Sequence, residues 1–114
     1  MSSAYKILPR ADWEAALAKG RYDGSPFDLA DGFIHLSGAD QAAETAVKYF
    51  TGQAGLVMVR FDTDDLGPAL RWEPSRGGAL FPHLYAPLPT AAALEVRELT
   101  LDADGIPILG ELLP

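Results

Sequence analysis

Gly32-Phe33-Ile34-His35-Leu36-Ser37 is the stretch on which the fold turns. An apolar run broken by one imidazole and closed by a hydroxyl reads as a β-strand over residues 33–36. Side chains in a strand alternate between two faces. Phe33, His35 and Ser37 then share one face, with Ile34 and Leu36 on the other. A helical pattern follows at once over residues 40–50. Ser37 or Asp40 is its expected N-cap, and Ala43, Val47 and Phe50 form its expected buried stripe. The second of the two histidines lies in a matching context, Leu80-Phe81-Pro82-His83-Leu84-Tyr85. There Phe81, His83 and Tyr85 share a face. Pro82 has no N–H to give to a ladder, which puts that strand near a sheet edge. Two apolar strands, each offering a histidine and a hydroxyl, point to a polar pocket.

Working outward, residues 5–8 read as a first strand and residues 10–19 as a helix with Trp13, Ala16 and Leu17 on its buried face. Gly20 stops that helix. Residues 21–32 read as a loop, because Gly24, Ser25, Pro26 and Gly32 punctuate them. Residues 56–61 are apolar on both faces and read as the central strand. Residues 62–65 read as an acidic turn, and residues 70–73 as a short strand with Arg71 and Glu73 on one face. A Pro-Ser-Arg-Gly-Gly loop follows over residues 74–78. Residues 94–101 alternate as the last long strand, ahead of an Asp104-Gly105 turn and an apolar tail. The two main helices fall in the N-terminal half and strands outnumber them. This order predicts an α+β fold with mostly antiparallel sheets.

The 114 residues form one domain, 1–114, with 48% hydrophobic and 22% charged residues. A net charge of −7 repels phosphate backbones and argues against a general nucleic-acid partner. The absence of cysteine excludes disulfides, thiolate nucleophiles and cysteine-based zinc sites. No apolar run approaches the roughly 20 residues of a membrane span, so no membrane partner is expected. The N-terminus lacks a signal-peptide core, and the cytoplasm is the expected location.

Each candidate residue has two readings. His35 and His83 are either satisfied core histidines or acid–base and hydrogen-bonding groups lining a cleft. Glu73, between Trp72 and Pro74, is either a surface carboxylate paired with Arg71 or Arg76, or a group that stabilises positive charge on a reacting sugar carbon. Arg76 lies in a glycine-rich loop that is no phosphate loop, since no Gly-Lys follows and no helix opens there. It is still placed to meet an anionic ligand. The aspartates at 62–65 lack the pattern of a calcium loop. No metal site is expected, because the histidines have no closely spaced third ligand. A serine nucleophile elbow is absent as well.

Several segments together resemble the bacterial family known as domain of unknown function 952. They are Trp13-Glu14-x-Ala16 with Gly20; Asp31 to Ser37 with Asp40-Gln41; Glu44-Thr45 and Tyr49-Phe50; Leu70-Arg71-Trp72-Glu73; and Phe81 to Leu88. The resemblance covers nearly the whole chain. The family in turn resembles the ADP-ribosyltransferase superfold, a split antiparallel α+β structure that binds NAD between two small sheets. The Gly-Phe-Ile-His-Leu-Ser strand is similar to the His-Val-His-Leu-Ser stretch of RNA 2′-phosphotransferases. This resemblance implies a cleft for a small-molecule ligand, NAD or a related nucleotide, with His35 and Glu73 as catalytic residues. Ser37, Arg76, His83 and Tyr85 would be its cofactor-binding residues. His35 would bond a ribose hydroxyl or phosphate, Arg76 the pyrophosphate, and Tyr85 the base. Where the superfold carries His or Arg on its first strand, this chain carries Lys6. A binding module with the same cleft and no catalysis is the alternative.

Overall fold

A computed structural model describes residues 2–114. In chain order the elements are β1 (Ser3–Pro9), α1 (Arg10–Lys19), β2 (Arg21–Tyr22), α2 (Pro26–Asp31), β3 (Ile34–His35), β4 (Ser37–Gly38), α3 (Ala42–Phe50), β5 (Leu56–Asp62), α4 (Thr63–Leu66), β6 (Leu70–Pro74), β7 (Leu80–Leu84), β8 (Leu88–Pro89), β9 (Ala93–Leu101) and β10 (Pro107–Ile108). The fold is mixed α+β. A five-stranded sheet runs β10-β9-β5-β1-β4, a three-stranded sheet β3-β7-β6, and β2 pairs with β8. Each of these pairings is antiparallel.

The large sheet is apolar on both sides, and two cores form on it. Ala4, Leu8, Val57, Val59 and Phe61 pack with Trp13 of α1 and with Ile34, Leu84 and Leu88 of the smaller sheets. Tyr5, Ile7, Leu56 and Met58 pack with Ala42 and Ala46 of α3 and with Leu99 and Leu109. β5 lies between β1 and β9, the central place predicted by its apolar residues on both faces. The C-terminal segment folds back on this second core: Tyr5 Oη donates to Leu113 O and accepts from Leu113 N, each at 2.8 Å.

Several local expectations are corrected. Residues 33–36 are not one strand. The chain pairs Ile34 and His35 with Leu84 and His83 in the small sheet, breaks at Leu36, and pairs Ser37 and Gly38 with Tyr5 and Ala4 in the large one. His35 and Ser37 therefore belong to different sheets. β7 is the middle strand of its sheet and not an edge. Pro82 is tolerated there because β3 has already ended beside it, and the Pro82 carbonyl accepts from Leu36 N. The segment 21–32 is no loop, since it holds β2 and α2. Residues 63–66 form the short helix α4, with the Asp62 side chain accepting from Asp64 N. In α1, Trp13 and Ala16 are buried but Leu17 is exposed.

α3 is shorter and turned relative to expectation. Its N-cap is Gln41, whose Oε1 accepts from Gly38 N, and Ser37 bonds to the Thr45 hydroxyl instead of capping. Its buried residues are Ala42 and Ala46, and the expected Phe50 packs half-buried on the second core, whereas the expected Ala43 and Val47 are exposed. Both phases satisfy a helical period. The small alanines are the pair that lets the helix approach the sheet.

Candidate functional site

Between the large sheet, α2, α3 and the β6–β7 loop lies a cavity of about 590 Å³, within the usual size range for small-molecule sites. Its wall includes His35 and His83 from the small sheet, Lys6 and Ser37 from the large one, Asp28 and Asp31 from α2, Thr45 from α3 and Arg76 from the loop. Phe27, Phe33, Tyr49 and Phe81 supply aromatic surface. Four of the six expected site residues, His35, Ser37, Arg76 and His83, thus share one hollow. Glu73 and Tyr85 do not line it.

The histidines meet because β3 and β7 place them directly opposite each other, and opposite residues of an antiparallel pair project from the same face. Their ring centroids are 5.7 Å apart. Phe33 wedges against both, 4.6 Å from His35 and stacked 4.1 Å from His83. Phe27 stacks on the far side of His35 at 4.7 Å, and Tyr49 lies 6.4 Å from Phe27. Both Phe27 and Tyr49 are exposed and form the rim.

His35 faces a carboxylate at each ring nitrogen, Asp28 Oδ1 2.6 Å from Nδ1 and Asp31 Oδ2 2.9 Å from Nε2. Asp28 is the residue that the sequence did not single out. It is 1% exposed, yet it accepts from Lys6 Nζ at 2.9 Å, from the backbone N–H groups of Ser25 and His35, and from the His35 ring. Burial alone would push its carboxyl up. The His35 bond, the Lys6 charge and the two backbone donors together outweigh burial and hold it well below the usual carboxylate range. Lys6 is buried too, and burial pulls its ammonium down against the attraction of Asp28. Its third donor reaches His35 O at 2.9 Å. Lys6 is therefore a structural cation with its bonds filled. A signal for Asp28 is present in the sequence: Ser25-Pro26-Phe27-Asp28 is a capping box with Pro at the first helical turn.

Arg76 reaches across to α3. Its Nε lies 2.9 Å from Glu44 Oε1, its Nη2 donates to Thr45 Oγ1 at 3.3 Å, and its guanidinium covers the Phe81 ring at 4.9 Å. Ser37 and Thr45 hydroxyls are 3.0 Å apart. On the outer side, Glu73 Oε1 lies 2.9 Å from His83 Nδ1 and accepts from Tyr85 Oη at 2.7 Å. The Tyr85 bond first, and the His83 bond second, hold the Glu73 carboxyl below its ordinary value. The same bond raises Tyr85. Arg71 lies over the Tyr85 ring at 5.1 Å. Among the described residues no group of three or more His, Asp or Glu side chains is arranged to hold a metal ion. No helix there is long and apolar enough to cross a membrane.

Three solved structures resemble the whole chain. The crystal structure of protein CC0527 from Caulobacter crescentus is 57% identical, covers 96% of each chain and superposes with a TM-score of 0.94. A crystal structure of a double mutant of that protein is 56% identical over 96% of each chain, with a TM-score of 0.93. Its solution NMR structure is 57% identical over 96% of this chain and 95% of that one, with a TM-score of 0.87. No curated protein matches. The family model described as "Protein of unknown function (DUF952)" matches residues 7–96, most of the chain, which therefore belongs to that family.

Proposed function

We propose that this protein binds a nucleotide-like small molecule, NAD or a relative of it, in the cavity between its sheets. The observation that carries the reading is the cavity itself. One hollow of about 590 Å³ holds aromatic faces and, 5.9 Å from the Tyr49 ring centroid, the Arg76 guanidinium. Phe27 and Tyr49 offer surfaces for a base, and Arg76 offers a partner for phosphate. Arg76 is already paired with Glu44, whose side chain is 70% exposed. The ADP-ribosyltransferase likeness of residues 32–37 supports the same class, with His35 and Ser37 toward a ribose.

Binding without cleavage is the reading that Glu73 favours. Its carboxylate is held by Tyr85 and His83 and does not line the cavity, so it does not stand beside a glycosidic carbon there. Lys6, in the first-strand position, is bound to Asp28. Titration calorimetry with NAD and with ADP-ribose at millimolar concentration tests the proposal. Heat from both is expected, with Arg76→Ala weakening each about tenfold, or 1.4 kcal/mol. No heat from either overturns it. Chromatography of the NAD sample separates the two readings, since released nicotinamide would mark an enzyme and intact NAD a binding module.

A further inference from the structure

The two imidazoles of the cavity differ in what their nitrogens meet. His35 has a carboxylate oxygen at both. His83 has one, Glu73 Oε1, at Nδ1. Among the described residues His83 Nε2 has no hydrogen-bond partner. The His83 side chain is only 6% exposed, yet Nε2 keeps a little open surface, because the one fully buried side-chain polar atom without a hydrogen bond there is Arg60 Nε. His83 lines the cavity and Glu73 does not. The ring therefore runs from an outer carboxylate to the inner space.

The carboxylate end is fixed. Tyr85 Oη donates to the Glu73 oxygen that faces His83. An ionised carboxylate only accepts, so the hydrogen of the neutral His83 ring sits on Nδ1 and the lone pair on Nε2. The ring plane is fixed as well, by Phe33 stacked at 4.1 Å with 24° between the planes.

We infer that Glu73 and Tyr85 orient His83 so that its Nε2 is the proton acceptor of this cavity, and that the bound molecule carries a hydroxyl that donates to it. The inference rests on the cavity being a ligand site, and ribose hydroxyls are the matching group in a nucleotide. No bond breaks in this contact: the ligand O–H donates to the Nε2 lone pair, and His83 keeps its Nδ1–H on Glu73. His83, rather than His35, is then the imidazole acceptor available to a bound hydroxyl. Glu73 and Tyr85 are positioning residues.

Long-range proton–nitrogen NMR of the histidine rings tests this at about pH 8, where an unperturbed imidazole is neutral. His83 is expected as the Nδ1–H tautomer, with an Nε2 resonance that moves when ADP-ribose is added. Glu73→Ala is expected to let the Nε2–H tautomer appear, and Glu73→Gln, which keeps an acceptor, to restore the original one. An Nε2–H tautomer in the wild type overturns the inference. So does an Nε2 that stays put in a sample where calorimetry shows ADP-ribose bound. Diethyl pyrocarbonate, which acylates unprotonated imidazole nitrogen, decides without a ligand. Modification of His83 ahead of His35 supports the inference, and the reverse order overturns it. If neither NAD nor ADP-ribose gives heat, the proposed ligand class fails, while the free-protein tautomer and the order of acylation still decide the role of His83.

Discussion

Asp28 ties together three parts of the chain: Lys6 on the distant strand β1, the N-terminus of its own helix α2 at Ser25, and both the backbone and the ring of His35. Removing one member of a buried ion pair strands the other charge, at about 3–5 kcal/mol. Asp28→Ala is expected to lose stability on that scale in urea denaturation, a large part of a typical domain's total. A loss under about 1 kcal/mol would mean that water reaches Lys6 and the pair is not sealed. Pairing Lys6→Met with Asp28→Leu removes both charges but still orphans the N–H groups of Ser25 and His35, so recovery should be partial. The pH dependence follows from the same carboxyl. Its folded value lies below its unfolded one, near 4. Its contribution is therefore fully present above that pH and drains away as pH falls toward the folded value. In the wild type the urea midpoint should drop steadily below about pH 4, and in Asp28→Asn that slope should flatten.

At the scale of elements, α2 shows where pattern reading stops. Its six residues are too few for a period to declare itself, and the Gly24-Ser25-Pro26 and Gly32 boundaries look like loop punctuation. Those same residues are helix-making in place. Ser25 Oγ accepts from Asp28 N at 3.1 Å, the Asp28 carboxylate accepts from Ser25 N, and Gly32 takes φ 84° as the C-terminal cap. Ser25→Ala should cost about 1 kcal/mol by thermal denaturation and, because α2 carries Asp28 and Asp31, should also broaden the NMR signals of the His35 ring. An unchanged melting temperature would show that packing, not the cap, holds α2. By contrast, β5 was legible from its largely apolar run and β9 from its long alternation, patterns that leave no second interpretation. The break at Leu36 was not. Both sheets bury apolar side chains, so the pattern runs on smoothly while the backbone changes partners.

At the scale of the molecule, the second core is closed by the C-terminal segment. Leu109 is buried in the second core, and Arg97 donates to the carbonyls of Leu109 and Glu111. Tyr5→Phe removes both bonds to Leu113 and leaves the ring in place. About 1 kcal/mol of stability and a fall of about 4 °C in melting temperature are expected. A melting temperature equal to wild type would show that the segment adds nothing through that hydroxyl. The candidate site was legible in part for a similar reason. Strand alternation correctly put Phe33 with His35 and Arg71 with Glu73, and strand pairing brings both pairs to one face of the small sheet. How much of that face looks into the hollow depends on how the sheets curl over each other, which no local period encodes. Glu73 and Tyr85 consequently ended up outside the cavity, and Asp28 inside.

Between His35 and Ser37 a single residue carries the backbone from the small sheet to the large one, and Leu36 N is itself stitched to Pro82 O. Lys6 Nζ adds a second stitch across the seam at His35 O. The two walls are thus one continuous shell and cannot open like a book. The proposed ligand would have to enter past Phe27 and Tyr49, two exposed rings on separate helices. Rotations of exposed side chains take picoseconds to nanoseconds, so on that proposal entry would ask for side-chain turns within a fixed frame and no parting of the sheets.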